Sequence, residues 1–218
     1  KLEQIKLLAI DMDGTLVTSK KEITPRTADV LRAAMQKGIE ISIATGRYTT
    51  YLFDILRPLG ITGPAVMGNG AAVMDEDKVY FHSLISEADL RQISALCQKE
   101  RAALFVNVEG YTCCLDNDYT MQAARHWAAD RPDNDIMATL HFYQDPEKLL
   151  ADVVGKTGKL IVLHFEEKRA RELIEIFQRQ SNLGYYASGE EASIKAFMGC
   201  PVPTGGALCV DSKRQYSF

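Results

Sequence analysis

The chain has 218 residues, 46% of them hydrophobic and 25% charged, which suits a soluble globular protein of one large or two modest domains. Its net charge is −4, from 25 basic against 29 acidic residues, so a nucleic-acid surface is not expected. No apolar stretch approaches bilayer length and the N-terminus carries no secretory pattern, so no membrane partner is expected either. The five cysteines, Cys97, Cys113, Cys114, Cys200 and Cys209, are odd in number and form no C-x-x-C pair. Zinc and a disulfide framework are therefore disfavoured, and reduced thiols in a cytoplasmic protein are the simple expectation.

An apolar run from Ile5 to Ile10, interrupted only by Lys6, predicts a first strand buried on both faces. It leads into Asp11-Met12-Asp13-Gly14-Thr15-Leu16-Val17, which puts two carboxylates at the strand's carboxyl end. Gly14 lets the backbone turn there, so both acids stay at the strand's mouth, where open α/β sheets bind ligands. Asp and Gly are also ordinary turn residues, so a plain Asx-type turn is the competing reading. Two close carboxylates repel unless a cation lies between them, and a hard ion with oxygen ligands, Mg²⁺, suits that place.

Thr24-Pro25 predicts a capped helix start, with Ala28, Leu31, Ala34 and Met35 on one face and Gly38 as the stop. Ile39 to Ala44 follows as a strand, which makes a βαβ unit with two parallel strands. The second strand ends in Thr45-Gly46-Arg47 at the same edge as Asp11. A hydroxyl and a glycine amide there could hold a phosphate oxygen, or Thr45 could merely cap a strand-to-helix turn. A helix with Leu52, Ile55, Leu56 and Leu59 inward comes next. Ala65-Val66-Met67 reads as a third core strand running into Gly68-Asn69-Gly70, and Ala72–Met74 with Val79–Phe81 as a hairpin.

From about Ser83 the βαβ rhythm stops. Ser86 and Asp89 resemble a capping box ahead of Leu90, Ile93 and Cys97. Ala103 to Val108 and Tyr111 to Leu115 flank Glu109-Gly110 as a hairpin. A helix around Thr120 to Ala129 is followed by an irregular stretch with Pro132 and Pro146. Lys159 to Phe165 is a strand, and Arg169 to Gln180 a helix with Ala170, Leu173, Ile174 and Phe177 inward. Tyr185–Ser188 and Ala192–Phe197 are expected to pair. Hairpins and helices without βαβ rhythm indicate an inserted α+β module. The four histidines are scattered, with no i,i+4 pair to hold zinc.

The strings DMDGTL, ATGR and GNGA together resemble the signatures of the haloacid dehalogenase-like hydrolases, in the branch of Cof-type sugar phosphatases. The resemblance implies a doubly wound, parallel-sheet (Rossmann-like) α/β core with an inserted α+β cap that selects the substrate. It puts the core at 1–82 and 189–218 and the cap at 83–188. It implies an Mg²⁺-dependent phosphatase acting on a small phosphate monoester through an aspartyl-phosphate. Asp11 would be the nucleophile and Asp13 the acid/base, with both at the metal. Met12, Thr45 and Gly46 would hold the phosphoryl oxygens. Arg47 has two readings, a contact to substrate or an ion pair with an acid.

Two further signatures of that family are not found. Thr204 stands where the family lysine belongs, and Lys195 and Lys213 are out of register. No acidic string follows Leu208, and Asp211 alone is a weak substitute. The expectations that follow are a weakly held Mg²⁺, a lost electrostatic partner for the phosphoryl group, and a sheet edge left uncovered beside the Asp11 strand. Such an edge invites a homo-oligomer. A catalytically impaired or truncated relative that binds a phosphorylated ligand or a partner without turnover is the alternative.

Overall fold

A computed structural model describes residues 5–18, 20, 22–48, 51–129, 136–180, 184–187 and 206–211. The chain divides into two compact units, Lys1–His82 and Ser83–Phe218. No helix among the described residues is long and apolar enough to cross a membrane.

The first unit is a five-stranded sheet in sequence order: β1 (Leu7–Asp11), β2 (Glu40–Ala44), β3 (Ala65–Met67), β4 (Ala72–Met74) and β5 (Val79–His82). β1, β2 and β3 are parallel; β4 and β5 continue antiparallel. The helix α1 (Pro25–Gln36) makes the first crossover, and α2 (Tyr51–Leu56), tightened into a 3-10 turn over Arg57–Leu59, makes the second. Each begins or ends where local chemistry dictates. The Thr24 side chain accepts the Thr27 amide at 3.1 Å, Pro25 fixes the first turn, and Gly60 closes the second crossover with φ 76°. Leu31, Ile41, Ile43, Leu52, Leu56 and Met67 belong to one buried cluster with Met12, Leu16 and Val17 of the acidic loop. This packing ties the loop to the sheet.

β1 departs from expectation. It is the first strand of the sheet, and Leu7 and Leu8 are 57% and 42% exposed, so it is not buried on both faces. Among the described residues nothing pairs beyond it, which is why an apolar run that reads as an interior strand is left open. A homo-oligomer through this edge is a proposal that the exposed Leu7 and Leu8 support.

The second unit is a six-stranded sheet flanked by four helices. In chain order these are α3 (Glu87–Lys99), β6 (Ala103–Val108), β7 (Tyr111–Leu115), α4 (Asp118–Ala129), β8 (Leu140–Tyr143), α5 (Pro146–Val153), β9 (Lys159–His164), α6 (Glu167–Gln180), β10 (Gly184–Ala187) and β11 (Gly206–Asp211). The strand order is β10-β11-β9-β6-β7-β8, antiparallel except for β7 beside β8. Period-two geometry supplies two cores from the same strands. Leu104, Val106, Leu160 and Val162 pack with α3, α5 and α6, while Ala103, Phe105, Ile161 and Leu163 pack with Ala123 and Ala124 of α4.

Three expectations change here. The stretch expected to be irregular around Pro146 contains β8 and α5, and Pro146 opens that helix after Asp145, whose side chain accepts the Glu147 amide. The region 189–218, assigned to the core by sequence, contributes β11 to the second unit, between β10 and β9. β10 accordingly pairs with β11; the expected partner, Ala192–Phe197, lies outside the described residues.

A polar cluster fastens α5 to the sheet. Asp152 accepts the Tyr143 hydroxyl at 2.5 Å, the Tyr111 hydroxyl at 3.2 Å and the Lys156 ammonium at 2.8 Å. Hydrogen bonds from Lys156 and then Tyr143 hold the Asp152 carboxyl down at about 2. A depressed folded value gives stability that is complete above the ordinary carboxylate range and lost as pH falls towards 2. Asp152→Ala is expected to lower unfolding free energy by about 1–3 kcal/mol at pH 7, because two partly buried hydroxyls lose their acceptor. Between pH 4 and 2 the difference from the parent should shrink, which chemical denaturation at each pH would read.

Cys97, Cys113 and Cys114 are buried free thiols. Burial pushes the thiol of Cys113 up to about 11 and that of Cys114 up to about 12, away from the reactive thiolate.

Candidate active site

The parallel register fixes where the candidate groups meet. Asp11 at the end of β1 is opposite Ala44 of β2, and Ala44 is opposite Val66 of β3. The carboxyl ends of all three parallel strands therefore share one edge, the usual ligand edge of such a sheet.

The loop after Asp11 is built by alternating burial. The Met12 side chain is fully buried and Leu16 and Val17 nearly so, while Asp11, Asp13, Gly14 and Thr15 are exposed. Gly14 turns the chain with φ 79°. The Leu16 amide donates to the carbonyls of Asp11 and Met12, each at 3.1 Å, and the Val17 amide to Met12 at 3.0 Å. The apolar residues anchor a tight turn whose polar residues face outward.

The two acids have different surroundings. Among the described residues, the one hydrogen-bond partner of the Asp11 carboxylate is the Thr15 hydroxyl, at a long 3.3 Å. The Asp13 carboxylate is gripped by Arg47, with Nε donating to Oδ2 at 2.9 Å and Nη2 to Oδ1 at 2.7 Å. Of the two readings of Arg47, the ion pair with an acid is the one observed.

The second loop is held equally firmly. Thr45 is buried, and its amide donates to the Val66 carbonyl at 2.8 Å. Its hydroxyl accepts the Arg47 amide at 3.1 Å and its carbonyl accepts the Asn69 amide at 3.2 Å. The Gly68 amide donates to the Arg47 carbonyl at 2.8 Å. Gly46 is half-buried between them. Thr45 and Arg47 thus belong to one hydrogen-bonded loop pair, with Gly68-Asn69-Gly70 as its second half. Next to it the Tyr48 hydroxyl pairs with His82 Nε2. Nothing in the local sequence signals either long-range pairing, since Asp13–Arg47 and Tyr48–His82 each span 34 residues.

Other candidates do not join this site. Asp211, the weak substitute for the later acidic string, ends β11 opposite Lys159 in the second unit's sheet. His141 stacks on Tyr111, and His164 Nδ1 accepts the Glu166 amide. Thr204, Lys195, Lys213 and the side chains of His126 and Trp127 lie outside the described residues.

Among the described residues no three acidic, histidine or cysteine side chains cluster into a metal cage. The donor set still fits Mg²⁺, which keeps several waters and takes one or two carboxylates together with a substrate phosphate. The Asp11 carboxylate has the capacity for this. The Asp13 carboxylate is engaged by Arg47.

Comparison with known proteins shows the family to which the chain belongs. The family described as haloacid dehalogenase-like hydrolase matches residues 8–192, and the chain belongs to it. Among curated relatives, "Phosphatase YwpJ" of Bacillus subtilis (strain 168) is 36% identical over 97 residues, covering 44% of this chain and 34% of that protein. "Pyridoxal phosphate phosphatase YbhA" of Escherichia coli (strain K12) is 32% identical over 84 residues, covering 38% and 29%. These matches span about a third of the length of the curated relatives. Of solved structures, BT1666 from Bacteroides thetaiotaomicron superposes with a TM-score of 0.72 at 17% identity, covering 96% of this chain and 68% of that one. A haloacid dehalogenase-like hydrolase from B. subtilis gives 0.69 at 20%, covering 95% and 73%. At these identities the structures speak for the fold.

Proposed function

We propose that the chain carries the phosphoryl-transfer site of an Mg²⁺-dependent phosphatase that hydrolyses a small phosphate monoester, with sugar phosphates among its substrates. The observation that carries this reading is the unequal treatment of two acids on one loop. Asp11 is exposed at the ligand edge and lightly bonded, as a nucleophile must be, while Asp13 is held in place beside it. The relatives' names lend support: YwpJ is called a phosphatase, YbhA acts on pyridoxal phosphate, and a solved neighbour is titled a sugar phosphatase.

In the first step an Asp11 carboxylate oxygen attacks phosphorus and the bond to the leaving oxygen breaks. Asp13, in its acid form, gives its proton to that oxygen, so a neutral alcohol departs and Asp11 carries the phosphoryl group. In the second step Asp13, now a carboxylate, takes a proton from water as the water oxygen attacks phosphorus. The Asp11–phosphorus bond breaks, releasing phosphate and restoring both side chains. Thr45 and the amides of Met12 and Gly46 hold the remaining phosphoryl oxygens. A bound Mg²⁺, held by Asp11 and the Asp13 carbonyl, supplies charge neutralisation between the nucleophile and the dianionic substrate.

A second reading is favoured by Thr204 at the family's lysine position: binding of a phosphorylated ligand without turnover. Phosphate release from a panel of monoesters, with Mg²⁺ and with EDTA, separates the two. Mg²⁺-dependent release supports the hydrolase. A rise in melting temperature with orthovanadate and Mg²⁺, without release from any ester, supports the binder. Neither response from folded protein would remove the phosphate site altogether.

A further inference from the structure

Two side-chain polar atoms among the described residues are buried without a partner, Asn107 Oδ1 and Thr120 Oγ1. Thr120 has a local remedy: it lies in α4, where a threonine hydroxyl can turn to a carbonyl of the preceding turn. Asn107 has none, because it lies in β6, whose carbonyls are spent on the neighbouring strands.

Asn107 belongs to a polar rung across the second unit's sheet. Register sets it opposite Thr112 of β7 and, on its other side, opposite Lys159 of β9, which is in turn opposite Asp211 of β11. Two residues along the same strands, the same face carries Phe105, Cys114 and Ile161, packed with Ala123 and Ala124 of α4. Three neighbouring strands therefore change from apolar to polar at one level. An apolar rung there would simply extend the core. The polar one leaves a buried group unserved, and such groups in native proteins are met by a water, an ion or a ligand.

The rung is firmly built. The buried Thr157 hydroxyl donates to the Asn107 carbonyl at 2.6 Å, and the Thr157 carbonyl accepts the Ile85 amide at 2.9 Å. Asn107 Nδ2 donates to the Thr112 hydroxyl at 3.1 Å, which leaves that hydroxyl its own proton to give. Lys159 is buried and not without a partner, yet its ammonium does not serve Asn107 Oδ1. The pair thus offers one acceptor beside one donor. A ligand hydroxyl answers both, since it donates and accepts at once. A carboxylate or phosphate oxygen only accepts, and would meet Oδ1 oxygen to oxygen with no proton between. Turning the carboxamide over exchanges the two roles and leaves the same need. Asn107 is half-buried and its terminal torsion is soft, so the carboxamide can turn to meet a ligand.

We propose that Asn107 and Thr112 form a binding site for a hydroxyl of a polyhydroxylated ligand, a sugar or a sugar ester. The site belongs to the second unit and does not depend on the phosphatase reading of the first.

The test follows ¹⁵N spectra of the full chain in EDTA, so that no ester is turned over. The probes are methyl glucoside, its fully O-methylated form, glucose 6-phosphate and inorganic phosphate. Methyl glucoside should move the Asn107 carboxamide signals and the β6 and β7 amides saturably. The O-methylated form keeps the ring without a proton to donate, and inorganic phosphate keeps the anion without the ring; both should leave these signals in place. Glucose 6-phosphate binding tighter than the glucoside makes the ester the ligand, and the reverse order makes it the free sugar; either supports the site. Asn107→Leu and Thr112→Val should each weaken binding about tenfold, while Thr112→Ser, which keeps the hydroxyl, should stay within about twofold of the parent. Should Asn107→Leu fail to fold, Thr112→Val decides alone. No saturable shift with either sugar would mean that a buried water serves Asn107, and would overturn the proposal. Equal shifts with the O-methylated form or with inorganic phosphate would overturn it too. These signals read the site whether or not any ester is hydrolysed, so its failure and that of the phosphatase reading are separate results.

Discussion

Asp11→Asn is expected to reduce Mg²⁺-dependent phosphate release by about 10⁴-fold or more, the scale on which loss of a nucleophile is felt. The substitution keeps the shape of the side chain and removes the charge that, in the proposed mechanism, attacks phosphorus. It also removes the carboxylate proposed to hold the metal, so catalysis and Mg²⁺ dependence should vanish together. Stability should hardly move. Asp11 is exposed, and its side chain makes one long hydrogen bond among the described residues, so the change belongs with surface substitutions of within about 0.5 kcal/mol. An unchanged melting curve with activity gone places Asp11 in the chemistry. Activity retained within about tenfold would remove it from the mechanism and leave Asp13 without a partner step.

Much of this site was legible because its local rules are strong. A strand ending in Asp-x-Asp-Gly can present both acids only if the chain turns at the glycine, and Gly14 does so with φ 79°. The anchors were legible too: Leu16 and Val17 are apolar in an otherwise polar loop, and both are buried. Thr45 could be placed at the same edge as Asp11 because a βαβ crossover forces parallel strands. What sequence could not supply was the partner of each group. Asp13 with Arg47 and Tyr48 with His82 depend on how distant strands stack in the sheet, and no spacing rule reaches across 34 residues.

The exposure of β1 and the pairing of Gly206–Asp211 have a common cause. An apolar run records what a strand is suited to, not what covers it. Ile5 to Ile10 looks like an interior strand, and among the described residues it has a neighbour on one side only, with Leu7 and Leu8 exposed. The family resemblance puts the segment Gly206–Asp211 with the core. In the structure its backbone bonds go to β9 and β10. A strand joins whichever edge offers a register, and composition does not say which. The stretch around Pro146 differs for another reason: Asp145 before the proline and Leu149 and Leu150 after it make a capped helix start.

Gly68 is closely packed, and its replacement should be felt both in the fold and at the site. A Cβ there would lie 2.4 Å from Tyr48 Cδ2, and the residue has φ +59°, a conformation that alanine adopts with strain. The strain is about 1–2 kcal/mol and the overpacking about 1–3 kcal/mol. Gly68→Ala should therefore lower stability by about 2–4 kcal/mol, read by denaturant unfolding. Gly14→Ala is the control: φ is also positive, nothing lies within 4 Å of its Cβ, and only the strain of about 1–2 kcal/mol should appear. Combining Gly68→Ala with Tyr48→Ala removes the clash and should recover the overpacking share. Activity should follow the loop rather than the melting temperature. The Gly68 amide holds the Arg47 carbonyl, so displacing it moves the guanidinium that grips Asp13. An alkyl phosphate should then lose about 10²-fold while the protein is still folded at assay temperature. A Gly68→Ala protein within about 0.5 kcal/mol of the parent would mean that Tyr48 yields without strain. The close approach of ring and backbone would then not be what fixes Arg47.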